Sequence, residues 1–202
     1  MSAIGGTFNR KTFLTKVAKS AKFNRATFKN AEKKYEIERK RLIAKFRDHP
    51  VTSEINGGVF ASNESNTLGG KGNLFTYIGF RSRTRPVSPV ERVLLTSGGV
   101  KRGSKPRTNT VKGKIRQRFK AKLPDTGLLK AASPLPFQEG RSWLFDIESG
   151  ISGFNSYLVK KWTKGRSGQA LQVKKSFRGG SYSPPSNGYI RSLLADFIRS
   201  FK

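Results

Sequence analysis

Residues 111–123 read Val-Lys-Gly-Lys-Ile-Arg-Gln-Arg-Phe-Lys-Ala-Lys-Leu. Side chains along a β-strand point alternately to its two faces, and every second residue of this stretch is basic. The basic positions are Lys112, Lys114, Arg116, Arg118, Lys120 and Lys122. The positions between them are mostly apolar, so the stretch predicts a strand with one cationic face and one hydrophobic stripe. On a helix the same residues would scatter around the cylinder.

Six like charges in one row predict contact with an anionic partner, because they repel one another until an anion lies against them. The alternative is a charged face that simply points into solvent. The whole chain has 41 Lys and Arg against 12 Asp and Glu, a formal net charge of +29. We therefore expect the row to contact DNA or an acidic protein surface. Further basic positions predicted to contribute are Arg81, Arg83, Arg85, Lys160, Lys161, Lys164 and Arg166.

The residue inventory predicts neither a catalytic site nor a bound cofactor. The chain has no cysteine, which excludes disulfides and thiolate metal sites. His49 is the single histidine and precedes Pro50 at the end of a helical pattern, so we expect it to cap a helix. A Ser nucleophile therefore lacks a base, and we predict that the protein is not an enzyme.

Four carboxylates support the alternative hypothesis, which is a metal-dependent nuclease. Asp146 and Glu148 share one face of a predicted strand, and with Asp125 and Glu139 they would suit a divalent metal of nuclease type. Salt bridges to the abundant Arg and Lys are the favoured interpretation, so no metal site is predicted. No apolar run is long enough to cross a membrane, and the N-terminus lacks the apolar region of a signal peptide.

The pattern along the chain predicts three regions and an α+β fold. Residues 1–50 form a basic helical region, 51–178 a β-rich core with a short helix inserted at about 89–97, and 179–202 a linker with an amphipathic helix. The sheet is expected to be mostly antiparallel, between N-terminal helices and a C-terminal helix. One face of that last helix carries Ile190, Leu193, Leu194, Phe197 and Phe201.

The individual elements follow from caps, breakers and periodicity. Helices are predicted at about 10–21 and 25–48, each beginning after an Asn that caps it. Strands are predicted at 74–80 and 142–148, a turn at 124–129 and a hairpin at 157–175. Residues 100–110 are expected to form a basic loop, and Asn187 to cap the last helix.

Several short motifs resemble those of the neck and tail-completion proteins of tailed bacteriophages, including minor tail and head–tail joining proteins. A basic N-terminal helix comes first in the chain. The motifs that follow it are Asp125-Thr126-Gly127-x-Leu129, then Phe145-Asp146-Ile147-Glu148-x-Gly150, then Pro184-Pro185 leading to Tyr189-Ile190-Arg191. The resemblance implies a structural virion protein that forms a homo-oligomeric ring, commonly a hexamer, and carries out no catalysis. It also implies neighbours on the connector or portal side and on the tail-tube side.

In such a ring the cationic face would meet packaged double-stranded DNA in a channel, or an acidic neighbouring subunit. The protein is then expected in a virion assembled in the host cytoplasm, without a membrane. The alternative function is a structural protein that binds nucleic acid non-specifically, of ribosomal or DNA-end-protecting type. A basic pattern without a recognised sequence-reading module supports contact with the phosphate backbone only.

Overall fold

The computed structural model describes residues 9–68, 72–109, 111–136, 138–149 and 188–201. The fold is α+β, with helices at its N-terminal and C-terminal ends, which confirms the predicted class. The described strands pair antiparallel, but they form three two-stranded pairs instead of one sheet. The chain divides into two compact units, of which unit 1 comprises 1–37 with 99–122, and unit 2 comprises 38–98 with 123–202.

The described helices and strands have the following bounds. The helices are α1 Arg10–Lys19, α2 Ala21–Asp48, α3 Pro50–Asn56, α4 Leu74–Ile78, α5 Val87–Thr96, α6 Thr126–Ala131, α7 Trp143–Ser149 and α8 Ile190–Phe201, with a 3-10 turn at Gly58–Phe60. The strands are β1 Gly99–Arg102, β2 Arg107–Asn109, β3 Lys114–Arg116, β4 Phe119–Lys122, β5 Pro134–Leu135 and β6 Gln138–Ser142.

Polar side chains fix the two helices that open unit 1. The Asn9 side chain accepts a hydrogen bond from the Thr12 amide at 3.1 Å, which confirms the predicted cap of α1. Helix α2 begins at Ala21, four residues before the predicted start, because Ser20 accepts from the Phe23 amide at 3.3 Å. Asn24, predicted as the cap, lies inside α2 and donates to the carbonyl of Ala18 at 3.1 Å.

The core of unit 2 gathers apolar side chains from the second part of α2 and from several shorter helices. Its largest fully buried side chains include Phe46, Phe75, Leu94, Leu129, Leu144, Trp143 and Tyr189. Trp143 meets Phe80 edge to face at 6.0 Å between ring centroids, and Tyr189 stacks on Phe46 at 6.0 Å. The predicted apolar face of α8 is confirmed at its four buried positions, Ile190, Leu193, Leu194 and Phe197, whereas Phe201 is partly exposed.

Two strand predictions and one turn prediction are wrong, and each segment is a short helix. Residues 74–78 are helical because Asn73 caps the Thr76 amide at 2.9 Å and Gly79 ends the turn with a left-handed φ of 82°. Residues 143–149 bury Trp143, Leu144 and Ile147, a helical spacing instead of the predicted alternation. The expected turn at 124–129 contains the start of α6.

The region assigned as a β-rich core is therefore helical in its first part, where α3, α4 and α5 occupy residues 50–96. The inserted helix predicted at 89–97 is confirmed as α5. His49 caps a helix as predicted, but the helix is α3, which starts after it and was not predicted; its Nδ1 accepts from the Val51 amide at 3.3 Å. The predicted hairpin at 157–175, the linker and the Asn187 cap lie outside the described residues.

None of the helices in the described ranges combines the length and the apolar content that a membrane span requires.

Candidate nucleic-acid interface

The four strands of unit 1 lie along one β-hairpin, residues 99–122, which we call the cationic hairpin. One arm contains β1 and β2, and the other contains β3 and β4. The arms are interrupted where residues 103–106 face only Gln117 and Arg118, and Pro106 cannot donate to the ladder there. The Gly103 amide still donates to the carbonyl of Arg118 at 2.8 Å. The predicted strand at 111–123 is thus two short strands joined by an irregular step.

The side chains of the second arm follow the predicted alternation between faces. All six basic side chains predicted for the cationic face are exposed: Lys112, Lys114, Arg116, Arg118, Lys120 and Lys122. Ile115, Phe119 and Ala121, which alternate with them, are half-buried. Val111 departs from the pattern, because it lies in the turn before β3 and is 86% exposed.

The first arm places two further cations directly opposite those of the second arm. Lys101 pairs with Lys120, and Arg107 pairs with Arg116. Like charges at directly opposite positions of an antiparallel pair destabilise it. The prediction of a loop at 100–110 left out these two side chains. The available signal was the recurrence of basic residues at the odd positions Lys101, Lys105 and Arg107, and the break at 103–106 interrupted it.

Aromatic residues of α2 support the opposite face of the hairpin. Phe28 contacts Phe119 with ring centroids 6.1 Å apart, and the Arg102 guanidinium lies 5.3 Å from the Phe28 centroid. The Tyr35 hydroxyl donates to the carbonyl of Lys122 at 3.2 Å. Helix α1 packs against β2 and β3. Arg102 and Lys101 are both exposed, but only the Arg102 guanidinium lies over an aromatic ring of α2.

The turn of the hairpin contacts a cation of α1, Arg10. Gly113 has a φ of 61°, a conformation that favours glycine. A Cβ atom at this position would collide with the guanidinium of Arg10. The Asn109 side chain accepts from the Lys112 amide at 3.0 Å and closes the turn. Gly113 thus allows Arg10 to lie against the end of the hairpin that carries Lys112.

The charge of unit 1 is almost entirely of one sign. Its sequence contains 19 Lys and Arg but only two acids, Glu32 and Glu36. Ten of these cations lie within residues 101–122, a stretch without any Asp or Glu. Among the described residues none of the ten forms an ion pair. The exposed face of the hairpin consequently carries charge that no ion pair within the described ranges neutralises.

The secondary basic positions fall into two groups. Arg81, Arg83 and Arg85 are exposed in the segment between α4 and α5 of unit 2. The other four, Lys160, Lys161, Lys164 and Arg166, lie outside the described residues.

Three of the four carboxylates considered for a metal site make structural contacts, and the fourth, Glu139, is exposed. Asp146 lies 3.0 Å from the Nε atom of Arg141, and Glu148 lies 3.1 Å from the Nε atom of Arg191. Asp125 accepts from the Gly127 amide at 2.6 Å and caps α6. Within the described ranges no three His, Asp or Glu side chains are grouped so that they could hold a metal ion. The interpretation of salt bridging fits Asp146 and Glu148.

Glu148 also fixes the start of α8. Its Oε1 atom accepts from the amides of Tyr189 at 3.2 Å and Arg191 at 2.7 Å. Burial raises the pKa of the Glu148 carboxyl, while these amides and the Arg191 charge act to lower it. Nearby, burial raises the pKa of the Tyr189 hydroxyl well above its usual range, and that hydroxyl lies 2.8 Å from Thr52 Oγ1. These buried polar groups join α3, α7 and α8 in unit 2.

Comparisons with protein-family models, curated proteins and solved structures found no match. The described residues define a strongly basic α+β protein whose most distinctive surface is the exposed face of the cationic hairpin.

Proposed function

We propose that the chain is a structural, non-enzymatic protein that binds the phosphate backbone of nucleic acid through the exposed face of the cationic hairpin. The observation that carries the proposal is the pairing of Lys101 with Lys120 and of Arg107 with Arg116 in a hairpin that contains no Asp or Glu. These pairs oppose formation of the hairpin when no partner is present. A polyanion converts their repulsion into attraction and releases its own counterions.

The chemistry of this face suits contact with phosphates better than base reading. Its side chains are mostly Lys, which acts as a point charge and carries little directional information. Residues 114–122 extend over roughly 30 Å at the rise of a strand, or about nine base-pair steps of one DNA strand. The helices that pack on the opposite side make the hairpin too thick to enter a groove as a bare two-stranded ribbon. Binding along the backbone, without sequence preference, is the expected mode.

We further propose that this binding occurs in a virion of a tailed phage, in the neck or in a tail-completion ring of the head–tail connector. The support is the resemblance in sequence described above, together with a charge that suits a subunit beside packaged DNA. Two of the motifs, at 125–129 and 145–150, contribute to α6 and α7 in this fold. The partners in this setting are further copies of the chain, connector-side and tail-tube-side proteins, and double-stranded DNA.

Binding of the full chain to labelled DNA duplexes of unrelated sequence tests the backbone-binding proposal. We expect equal dissociation constants across sequences, and a log–log dependence on salt that steepens by about 0.9 for every phosphate neutralised. Binding that depends on sequence but hardly on salt would contradict the proposal. Sedimentation and negative-stain microscopy test the ring separately. A protein that binds DNA but stays monomeric with and without virion partners would contradict the ring and leave backbone binding intact.

A further inference from the structure

Arg83 adopts a backbone conformation that an arginine seldom takes. Its φ is 67°, in the left-handed region. It is the third residue of a four-residue turn that the Thr84 amide closes by donating to the carbonyl of Arg81 at 3.1 Å. The Thr84 hydroxyl donates to the same carbonyl at 2.7 Å. A positive φ at the third position of such a turn favours Gly or Asn, because a larger side chain crowds the backbone.

The other described non-glycine residue with a positive φ makes a useful comparison. Asn66 has a φ of 52°, and Asn is a residue that tolerates this region. Arg83 has no such tendency, and its side chain is exposed, so packing does not hold it in place. Within the part of the chain that the structure describes, Arg83 forms no ion pair and no side-chain hydrogen bond. Its identity is therefore not explained by the stability of the turn.

The neighbouring residues give the turn a consistent chemistry. Arg81, Arg83 and Arg85 alternate along an exposed segment whose ends are fixed by the buried side chains of Phe80 and Val87. All three cations are Arg, in contrast to the mostly lysine face of the hairpin. The planar guanidinium presents paired N–H donors that match two oxygens of one phosphate.

The acid that follows in α5 does not neutralise this segment. Glu91 accepts from the Nε atom of Arg47 at 2.9 Å, and their ion pair raises the pKa of Arg47. The charges of the arginine turn, residues 81–85, are thus available to an external anion.

We propose that the arginine turn is a second phosphate-binding site, carried by unit 2, in which Arg83 contacts the ligand although glycine would fit the backbone better. The class of ligand, the phosphate backbone of nucleic acid, rests on the proposed function. The site itself rests on the turn geometry and on three exposed arginines. Each unit then carries its own phosphate contact, and the turn differs from the hairpin by using paired guanidinium donors.

Replacing Arg83 with the residue that its backbone favours separates binding from stability. In Arg83→Gly the melting temperature of the full chain should rise by about 2 °C, since the steric crowding of the left-handed conformation disappears. The same variant should lose one phosphate contact when it binds a labelled DNA duplex. The salt dependence should become shallower by about 0.9, equivalent to about eightfold weaker binding at 0.1 M salt. A residue with a merely structural role would not move the two quantities in opposite directions.

Two further variants control for charge and for conformation. Arg83→Gln removes the charge but keeps a side chain in the left-handed region, so it should weaken binding to the same extent without raising the melting temperature. Arg92→Gln makes the same charge change at an exposed position of α5 and should alter the salt dependence much less. Arg83→Lys keeps the charge without the paired donors, and its affinity should fall between the wild-type protein and Arg83→Gln.

The results that overturn the inference are distinct from those that overturn the proposed function. A wild-type salt dependence in Arg83→Gly, or a loss no larger than in Arg92→Gln, removes the arginine turn as a binding site. If hairpin variants lose DNA binding in the same assays, the proposed function stands and this inference alone fails. A wild-type protein that does not bind DNA overturns both. If the Arg83 variants lose binding to polyglutamate but not to DNA, the turn contacts acidic protein and the inference is wrong.

Discussion

Removal of three charges from the hairpin should separate its role in binding from its role in the fold. The variant Lys114→Gln, Arg116→Gln, Lys120→Gln changes only exposed side chains, so unit 1 should still fold. It also removes the repulsion of Arg116 with Arg107 and of Lys120 with Lys101. Relief of two like-charge pairs should raise the free energy of unfolding by about 1 kcal/mol in total. A loss of stability would show that these side chains make contacts that exposure does not reveal.

The effect on binding has the opposite sign and a larger size. If each of the three cations neutralises one phosphate, the log–log dependence of affinity on salt should become shallower by about 2.7. At 0.1 M salt this corresponds to a loss of about 500-fold in affinity, with the same factor for every duplex sequence. Fluorescence anisotropy with a labelled duplex over a range of salt concentrations measures both quantities.

A matched control changes the same net charge elsewhere. Lys40→Gln, Arg92→Gln, Lys130→Gln removes three exposed cations from helices of unit 2. Its salt dependence should stay close to that of the wild-type protein. Equal losses in the two triple variants would mean that only net charge matters, and the hairpin would lose its special role. An unchanged salt dependence in the hairpin variant, combined with impaired assembly onto a protein partner, would assign the face to protein contact.

Three further predictions concern the core of unit 2. Phe197→Ala should lower the free energy of unfolding in urea by about 3–5 kcal/mol because the side chain is buried, whereas Ile198→Ala, at a position 38% exposed, should change it by less than about 1 kcal/mol. Equal effects would place the apolar face of α8 elsewhere. Glu148→Gln should lower the free energy of unfolding by about 1–3 kcal/mol and speed hydrogen exchange of the Arg191 amide, because the carboxylate accepts a hydrogen bond from that amide. Unchanged exchange at Arg191 would contradict this contact. Burial lowers the pKa of His49, so its contribution to stability is present above about pH 6.5 and is lost as the pH falls through the lowered pKa. Between pH 7.5 and pH 5 the melting temperature should therefore fall less in His49→Gln than in the wild-type protein. Equal slopes of melting temperature against pH would refute this.

The sequence by itself determined those features whose cause is local. Asn9 and His49 were identified as helix caps because the capping atoms lie two or three residues from the amides that they satisfy. The buried face of α8 was readable from its three- and four-residue spacing. The alternation of exposure along the second hairpin arm follows from the geometry of a single strand. The α+β class followed from these elements together.

Short apolar segments were the part that local pattern did not decide. The runs at 74–80 and 142–148 contain few residues, and a run of that length fits a buried strand or a buried helical turn equally well. In the fold both runs contain a short helix, and Trp143 of the second run packs edge to face on Phe80, the last residue of the first run. That contact joins residues far apart in the chain, so neither run contains the information that selects its conformation.

In the cationic hairpin, some features of the candidate interface follow from the sequence and others only from the tertiary structure. The sequence determined that Lys120 and Arg116 lie on an exposed cationic face, because alternation is a property of one strand. Only the tertiary structure decided that Lys101 and Arg107 stand opposite them, since pairing depends on a register across an interrupted ladder. A row of charges is tolerated when each is solvated separately, whereas two rows brought together by backbone hydrogen bonds repel across the ladder. That repulsion exists only in the folded hairpin.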